Sequence, residues 1–339
     1  MHGSGLRLVA GALFAAAVSA AANAATVDDV RARGVLNCGV NEGLPGFSEP
    51  DPSGEWHGFD VDICRAISAA VFGDPDKVNY VTVSTAGRFD ALANGDIDVL
   101  SRNSTWTMTR DTTLGLDFAG IAYYDGQGFM ARADYGMRSA LELVGARICL
   151  ITATTTEQNA AEFFGSRGID VTFMPFDTRA EAHQAYAEEK CDAMTADSSA
   201  LAAERSQMPI PGDHVVLPEI ISKEPLGPVT RDDDPAWTDL VRWTLFGLID
   251  AEEKGLTATA LAADVPNVEA ERAKAAALGK PAAAALKVDE DWLANVIAGV
   301  GNYGEIFARN LGVDTPLEIE RGINAPWNAG GILYAPPMN

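Results

Sequence analysis

The chain has 339 residues, of which 47% are hydrophobic and 22% are charged, as in an ordinary globular protein with a substantial core. This length corresponds to about two domains. The sequence has 25 basic and 48 acidic residues, which gives a net charge of −23. Nucleic-acid phosphates and anionic membrane surfaces repel such an acidic chain, so we expect neither nucleic-acid binding nor direct membrane insertion.

Residues 1–24 have the pattern of an export signal. Arg7 provides a basic start, Leu8–Ala22 is apolar, and Ala22-Asn23-Ala24 has the small residues of a cleavage site. We predict a cleaved signal peptide, with an uncleaved anchor as the alternative. Because no cysteine lies at the cleavage point, we expect an exported protein that is released without a lipid anchor.

Four cysteines lie in the exported part, an even number that favours disulfides in an oxidising compartment. Cys38 ends a strand-like run, and Cys64 lies in the helix-like segment that follows. Cys149 and Cys191 belong to two strand-like runs that we expect to be neighbours in one sheet. We therefore predict the pairs Cys38–Cys64 and Cys149–Cys191. The alternative, a metal site, is disfavoured because no C-x-x-C pair is present and the four histidines are scattered.

From residue 35 onward, short apolar runs alternate with helical periodicity, which predicts an α/β fold. In the first unit, Phe89 and Leu92 predict a helix that ends at Gly95, followed by the strand Ile97–Leu100. A second unit begins near Ala146. Its predicted strands are Arg147–Ile151, Asp170–Phe173, Asp192–Thr195 and His214–Leu217, and its predicted helices are Glu157–Phe164, Thr178–Lys190 and Ser198–Ser206.

Glycine and proline mark two joints between these units, at residues 124–128 and 225–228. We predict that the chain crosses twice between two lobes. Lobe 1 would comprise residues 25–125 and 225–339, and lobe 2 residues 126–224. The Ala-rich segment 258–286 predicts an additional helix in lobe 1, and Val296–Leu311 predicts another.

The run Gly299–Gly304 matches G-x-G-x-x-G, which in dinucleotide-binding proteins joins a strand to a helix. Here the run lies within helical periodicity, so we reject that interpretation and predict no cofactor. There is also no G-x-S-x-G or H-E-x-x-H motif, and no nucleophile–base pair can be identified.

Polar residues follow two predicted strands of the second unit, where α/β sheets bind ligands. Thr154 and Glu157 form a predicted capping box, and the first-turn amides of that helix are suited to a carboxylate. Asp197 follows the predicted strand Asp192–Thr195 and suits an ammonium group. A plain helix cap is the alternative for both positions.

In the first unit, the polar stretch 102–110 follows the strand Ile97–Leu100. The planar guanidinium of Arg110 matches a carboxylate with two hydrogen bonds. A surface salt bridge is the alternative role. With Asp197 in the second unit, these residues predict a site for a zwitterion between two lobes.

Longer stretches of the sequence resemble the periplasmic amino-acid-binding proteins of ABC importers, of the general L-amino-acid permease type. The resemblance runs from residue 34 to the C-terminus. It is carried by GFDVDIC (58–64), VLSRNSTWTMTRDTTLGLDFAG (99–120), YYDGQGFM (123–130), VVLPEIISKEPLGP (215–228) and RGINAPWNAGGILYAPP (321–337).

This resemblance implies a class II periplasmic binding protein, with two α/β lobes joined by two hinge crossings. It assigns the ligand α-carboxylate to Asn103, Thr105 and Arg110, aided by the loop at Thr154 and Thr155, and the α-ammonium to Asp197. Many relatives hold the ligand side chain between aromatic residues near positions 44 and 85. This chain has Leu44 and Thr85 there, which favours broad specificity, and Trp106 and Tyr124 are candidate walls of the pocket.

The resemblance also implies capture of an L-amino acid by closure of the lobes, followed by docking on membrane permease subunits. We expect a monomer. Two alternatives stay open: a periplasmic enzyme of the cyclohexadienyl dehydratase type on the same fold, and a sensory module. The dehydratase would need a general acid beside the ligand, for which Asp197 and Glu157 are the candidates.

Overall fold

The computed structural model describes residues 26–262 and 265–338, so the predicted signal peptide lies outside the described residues. The described strands, in chain order, are β1 Leu36–Val40, β2 Glu49–Pro50, β3 Trp56–His57, β4 Val78–Thr82, β5 Val99–Leu100, β6 Leu116–Phe118, β7 Tyr123–Asp125, β8 Gln127–Arg132, β9 Arg147–Ile151, β10 Thr172–Phe176, β11 Ala193–Asp197, β12 His214–Val216, β13 Glu224–Leu226 and β14 Val229–Arg231. The described α-helices are α1 Thr26–Arg33, α2 Phe59–Phe72, α3 Arg88–Ala93, α4 Met108–Thr113, α5 Thr155–Gly165, α6 Arg179–Ala187, α7 Ser198–Ser206, α8 Pro235–Glu253, α9 Val268–Ala283, α10 Trp292–Val300 and α11 Tyr303–Asn310.

Two five-stranded sheets form the cores of two lobes. The sheet of lobe 1 has the order β4–β1–β5–β14–β6, and that of lobe 2 the order β10–β9–β11–β8–β12. In each sheet, strands that are connected through helices pair in parallel, as β1 does with β4 and β5. A strand from beyond a crossing then joins antiparallel, as β14 does with β5 and β6. The predicted α/β fold with two lobes is confirmed.

Strands β7 and β13 carry the chain from lobe 1 to lobe 2 and back, and they pair with each other antiparallel. The glycines near these crossings allow close approach of backbones. A Cβ on Gly227 would collide with the carbonyl oxygen of Gly120, and one on Gly126 would collide with Ile220 and the backbone of Ser222. Neither Gly126 nor Gly227 has a positive φ, so their small size is what the crossings require.

Most predicted elements of lobe 2 are present, with shifted ends. Strand β9 and helix α7 have the predicted bounds, whereas β10 begins at Thr172 instead of Asp170. The single helix predicted over Val296–Leu311 is wrong, because α10 and α11 are separate. Gly301 turns the chain with a φ of 80°, and Asn302 forms a capping box with Glu305 that begins α11. The run Gly299–Gly304 spans this break between two helices.

Both predicted disulfides are confirmed. Cys38 and Cys64 have Cα atoms 6.1 Å apart, and those of Cys149 and Cys191 are 5.7 Å apart. Cys38 lies in the middle of β1 and not at its end, so its bridge joins the centre of the lobe 1 sheet to α2. The second bridge lies within lobe 2, where β9 and β11 are neighbours as predicted.

The Ala-rich segment packs on lobe 1 as helix α9, which confirms the predicted additional helix. Trp292 of α10 is 1% exposed and donates a hydrogen bond from Nε1 to the carbonyl of Gly279 at 3.0 Å. A Cβ on Gly279 would approach that indole to 2.6 Å, so the glycine in the middle of α9 allows the two helices to touch. Within residues 26–262 and 265–338, no helix has the length and apolar character of a membrane span.

Candidate ligand-binding site

A cavity of about 300 Å³ lies between the two lobes, at the carboxyl ends of strands from both sheets. Six of the predicted site residues line it, and they are Asn103, Thr105, Arg110, Thr154, Thr155 and Asp197. Residues that were predicted from two distant parts of the sequence therefore face one space. Leu44 and Thr85, the two positions that the resemblance singled out for the ligand side chain, line it as well.

Arg110 enters the cavity from α4, whose N-cap Thr107 accepts a hydrogen bond from the Arg110 backbone N–H. One guanidinium nitrogen donates to the carbonyl of Thr105 at 2.9 Å, and the group lies 5.2 Å from the centre of the Phe89 ring. Burial lowers the pKa of Arg110, while the charges of Glu224 and Asp197 oppose that change. The remaining N–H groups of this fork are placed to receive a carboxylate.

Asn103 adopts a left-handed backbone with a φ of 31°, which is uncommon for a residue other than glycine. Its N–H donates to a carboxylate oxygen of Asp60 at 3.0 Å, and its side-chain oxygen accepts a hydrogen bond from Asn41 at 3.3 Å. Asp60 belongs to the GFDVDIC stretch at the start of α2. Burial raises the pKa of Asp60 to about 7. By accepting the hydrogen bond from Asn103, this buried carboxyl supports the loop that carries Asn103 and Thr105.

Two further arginines of lobe 1, Arg88 and Arg102, line the cavity and are 4% and 6% exposed. Arg102 donates to the carbonyl of Val83 and to the hydroxyl of Thr85, both at 3.0 Å. Arg88 donates to the carbonyl of Thr85 and, across the cavity, to the carbonyl of Ala153 at 3.4 Å.

The Nε of Arg88 is buried and has no hydrogen-bond partner. Burial, together with the charges of Arg102 and Arg110, lowers the pKa of Arg88 to about 9. The cavity thus holds a buried positive charge that is incompletely compensated.

In lobe 2, the capping box predicted for Thr154 and Glu157 is wrong. Thr154 is the N-cap residue of α5, but its hydroxyl donates to the carbonyl of Ile151 at 2.7 Å and makes no capping bond. Thr155 donates from its hydroxyl to Glu224 at 2.9 Å. Glu157 is exposed and does not line the cavity. The first-turn amides of α5 are therefore not satisfied by the side chain of its N-cap residue.

Asp197 ends β11 and occupies the N-cap position of α7 without making a capping hydrogen bond. Two other carboxylates lie close to it. Asp125 accepts hydrogen bonds from the hydroxyl of Ser199 and from the backbone N–H of Gly126. Glu224 is 1% exposed and accepts from three side chains, namely Thr155, Asn159 and Ser222.

Burial and neighbouring charges raise the pKa of two of these carboxyls, Asp125 and Asp197. Burial raises the pKa of Asp125 to about 6, and the charge of Glu224 acts in the same direction. Burial also raises the pKa of Asp197 well above its usual value, as do the charges of Asp125 and Glu224. A cationic group placed here would favour the ionised forms, so this end of the cavity is suited to an ammonium group.

The prediction that Trp106 and Tyr124 wall the cavity is wrong, because neither lines it. Trp106 stacks on Phe118 of lobe 1 with the rings 5.6 Å apart and nearly parallel. Tyr124 lies in a connecting strand, where its backbone groups bond to Asn324. Packing within lobe 1 and pairing of the connecting strand, which the sequence pattern did not reveal, take these side chains away from the cavity.

Arg88, which lines the cavity, was not predicted from the sequence, and neither were Asp125 and Glu224, whose charges act on Asp197. Asp125 lies in the first predicted joint and Glu224 immediately precedes the second, where a charged residue beside glycine and proline could have indicated a role. Arg88 follows Gly87 at the end of the loop after β4. A group of potential metal ligands formed by Asp51, Glu55 and His57 lies at the surface, outside this cavity.

The chain is similar to known proteins in sequence and in fold. Residues 36–258 match the family of bacterial extracellular solute-binding proteins, family 3. The chain is 49% identical to the general L-amino acid-binding periplasmic protein AapJ of Rhizobium johnstonii, over 97% of both chains. It is also 49% identical to the glutamate/glutamine/aspartate/asparagine-binding protein BztA of Rhodobacter capsulatus, over 96% of both.

A solved structure is also similar. It is an ABC transporter periplasmic binding protein from Brucella ovis with glutathione bound, which is 48% identical with a TM-score of 0.87. The match covers 94% of this chain and all of that one. On the family match, the near full-length relatives and the shared fold, this chain belongs to the family 3 bacterial extracellular solute-binding proteins.

Proposed function

We propose that this protein captures L-amino acids between its two lobes and delivers them to the membrane permease of an ABC transporter. The observation that carries the proposal is the pair of opposite charges at the cavity, with Arg110 on lobe 1 and Asp197 on lobe 2. An L-amino acid has a carboxylate and an ammonium on one carbon, so it can bind both residues at once.

In this proposal the α-carboxylate accepts hydrogen bonds from Arg110, Thr105 and Asn103, and from the first-turn amides of α5 beside Thr155. The α-ammonium donates to Asp197, whose ionised form it favours. Because the partners of one ligand belong to both lobes, a bound amino acid favours the closed arrangement over an open one.

Arg88 extends the proposal to the ligand side chain. Arg110 is balanced by the α-carboxylate and Asp197 by the α-ammonium, and Arg102 has Asp60 and Glu42 as nearby negative charges. In this arrangement the charge of Arg88 is not paired with an opposite charge. We propose that the protein binds many L-amino acids and binds most tightly those whose side chains end in a carboxylate or a carboxamide. The name of the Rhodobacter capsulatus relative supports this preference.

We further propose that the protein acts in the periplasm as a monomer, after removal of residues 1–24, and that it is a receptor without enzymatic activity. Periplasmic and binding-protein names among the relatives support this location and role. The permease subunits would be its partners, since transport across a membrane requires a spanning protein.

The test uses protein that begins at Ala25 and has been unfolded and refolded to remove carried-over ligand. Its melting temperature is recorded with L-amino acids, D-amino acids, sugars and glutathione. A ligand at 100 times its Kd stabilises the folded state by about 2.7 kcal/mol, which is visible as a shift. We expect shifts with many L-amino acids, largest with glutamate and glutamine, and none with D-amino acids or sugars.

Two results would contradict the proposal. Absence of a shift with every L-amino acid would remove the zwitterion site. Product formed on incubation with prephenate or arogenate would instead support the dehydratase. A shift with a single amino acid would retain the receptor and overturn the breadth of its specificity.

A further inference from the structure

The C-terminal part of lobe 1 contacts the first connecting strand through one side chain. Asn324 is 4% exposed and lies in the short 3-10 turn Gly322–Asn324. Its Oδ1 accepts a hydrogen bond from the N–H of Tyr124 at 2.7 Å, and its Nδ2 donates to the carbonyl of Tyr124 at 2.9 Å. Tyr124 is the middle residue of β7. Asn324 therefore satisfies both backbone polar groups at the centre of this strand, as a third strand would.

The two-stranded ladder of β7 and β13 is held by lobe 1 on both edges. Tyr124 lies opposite Pro225, and the carbonyl of Pro225 accepts a hydrogen bond from the backbone N–H of Trp106 at 2.8 Å. An isolated pair of strands is only marginally stable, so these edge contacts decide how rigid the connection is. Asn324 supplies the contact on the β7 edge.

Asn324 is in turn held firmly in lobe 1. The guanidinium of Arg321 donates to the Asn324 carbonyl at 2.9 and 3.1 Å, and it pairs with both carboxylate oxygens of Glu252 at 2.9 and 3.0 Å. The hydroxyl of Tyr303 donates to the carbonyl of Ala122, just before β7, at 2.7 Å. The lobe 1 end of the connecting strand is thus fixed by residues that follow the family match at 258.

The same C-terminal segment reaches lobe 2. Glu318 lies 3.2 Å from Arg205 of α7, and Ala203 on that helix is fully buried in the hydrophobic core of lobe 1. On the cavity side, Arg88 of lobe 1 donates to the Ala153 carbonyl of lobe 2. Rotation of lobe 2 away from lobe 1 would have to break these contacts or bend β7 at the residue that Asn324 holds.

We propose that Asn324 is a positioning residue for lobe closure: by fixing β7 at Tyr124, and with Glu318 contacting lobe 2, it confines the lobes near the closed arrangement. The inference rests on the proposed function only for its effect on ligand affinity. When a fraction f of the molecules is binding-competent, the apparent Kd equals the intrinsic Kd divided by f. Loss of the Asn324 contacts lowers f and weakens binding without changing any group that contacts the ligand.

The test compares Asn324→Ala and Asn324→Asp with the matched variant Asn302→Ala. Asn302 is also a buried asparagine of the C-terminal region, 5% exposed, and its amide bonds to the carbonyl of Leu256 and to the N–H of Glu305. Asn302 makes none of the contacts with β7. It therefore reports what the loss of a buried amide does to lobe 1 alone. Asn324→Asp keeps an acceptor for the Tyr124 N–H and loses the donor.

Two measurements use ligand-free protein. In Asn324→Ala we expect hydrogen exchange in a peptide covering residues 121–128 to be at least about fivefold faster, in keeping with a lost hydrogen bond. We also expect small-angle scattering to give a larger radius of gyration than for the wild type. The exchange rate and radius of gyration of Asn324→Asp should lie between those of Asn324→Ala and the wild type. Asn302→Ala should leave both properties unchanged.

A third measurement uses isothermal titration with L-glutamate and L-alanine. We expect Asn324→Ala to raise Kd for both ligands by the same factor, between about two- and tenfold, as a lower competent fraction requires. A variant with a wild-type radius of gyration and wild-type affinity would overturn the proposal, even with a lower melting temperature. If the wild type bound no amino acid, the proposed function would fail, while exchange and scattering would still decide the role of Asn324.

Discussion

Asp125 and Glu224 lie opposite each other in the two strands that connect the lobes, so the crossings bring two carboxylates together. Asp197 of lobe 2 adds a third, and burial together with the charges of the other two raises its pKa. The proposed site for a ligand ammonium, at Asp197, would therefore lie next to the hinge strands. Ligand binding and the angle between the lobes involve the same strands.

Replacing Asp197 by asparagine should separate binding from stability. We expect Asp197→Asn to weaken the binding of L-amino acids by about 100-fold or more, because the ligand ammonium loses its buried partner. The ligand-free variant should melt at a higher temperature than the wild type, since one of three neighbouring carboxylates is removed. Isothermal titration and thermal unfolding of refolded protein measure the two effects.

The matched control is Asp192→Asn. Asp192 immediately precedes β11, but its carboxylate pairs with Arg147 at the surface, outside the cavity. This variant should bind L-amino acids normally and melt no higher than the wild type. Normal binding by Asp197→Asn would contradict the assignment of the ammonium site.

The binding of L-amino acids should weaken as the pH falls below about 6. Burial raises the pKa of Asp197 well above its usual value and that of the neighbouring Asp125 to about 6, so acid protonates the proposed partner of the ammonium and the carboxyl beside it. We expect the Kd to increase from pH 7 to pH 5, with proton release on binding near pH 6. Titrations in two buffers of different ionisation enthalpy detect both effects, and equal affinity at pH 5 and 7 would refute the assignment.

In the ligand-free protein, the same carboxyls should make the folded state less stable as the pH rises, which is opposite to their effect on ligand binding. Asp125 binds its proton more tightly in the folded state than in the unfolded state, whose pKa is near the usual 3.8. Between about pH 4 and 6 the folded state holds more protons, so this carboxyl lowers the free energy of unfolding as the pH rises. Asp60, whose pKa burial raises to about 7, acts in the same direction. Asp125→Asn should flatten both this trend and the pH dependence of binding.

Arg88→Met should change ligand preference more than overall affinity. In the described part of the chain the buried Nε of Arg88 has no hydrogen-bond partner, and Asp197, whose charge acts on Arg88, would be taken up by the ligand ammonium, so an anionic ligand side chain gains most from Arg88. We expect the affinity for L-glutamate to fall at least about tenfold more than that for L-alanine, as for loss of a partner of a buried charge. Arg88→Lys keeps the charge, so its preference for L-glutamate over L-alanine should lie between those of the wild type and Arg88→Met. Equal losses for both ligands would assign Arg88 to the α-carboxylate or to the fold.

Removing either disulfide should destabilise the protein by a similar amount. The bridges join residues separated by 26 and 42 positions, and the loop-entropy model gives about 3–4 kcal/mol for each. The double variants Cys38→Ser with Cys64→Ser, and Cys149→Ser with Cys191→Ser, are compared by urea unfolding. Because the entropy depends on the logarithm of loop length, a difference above about 1 kcal/mol between them would require a cause beyond loop closure.

The sequence by itself determined the α/β alternation, most strands and helices of lobe 2, the two joints and both disulfides. These features depend on local periodicity, on glycine and proline, and on polar residues that directly follow strands. For this reason Arg110 and Asp197 could be predicted to face one space, and both line the cavity. Local signals failed where tertiary contacts competed: the hydroxyl of Thr154 bonds to Ile151 and not to its helix, and Trp106 stacks on Phe118.

Only the tertiary structure decided which distant groups share one environment. Asp125, Asp197 and Glu224 are far apart in the chain and meet because β7, β11 and β13 converge where the lobes join. Asn324 reaches Tyr124 across 200 residues of sequence. Burial and the effect of neighbouring charges depend on distances in space, and residue type and spacing along the chain do not determine those distances. The raised pKa values of Asp125 and Asp197 and the support of the connecting strand therefore appear only in the folded protein.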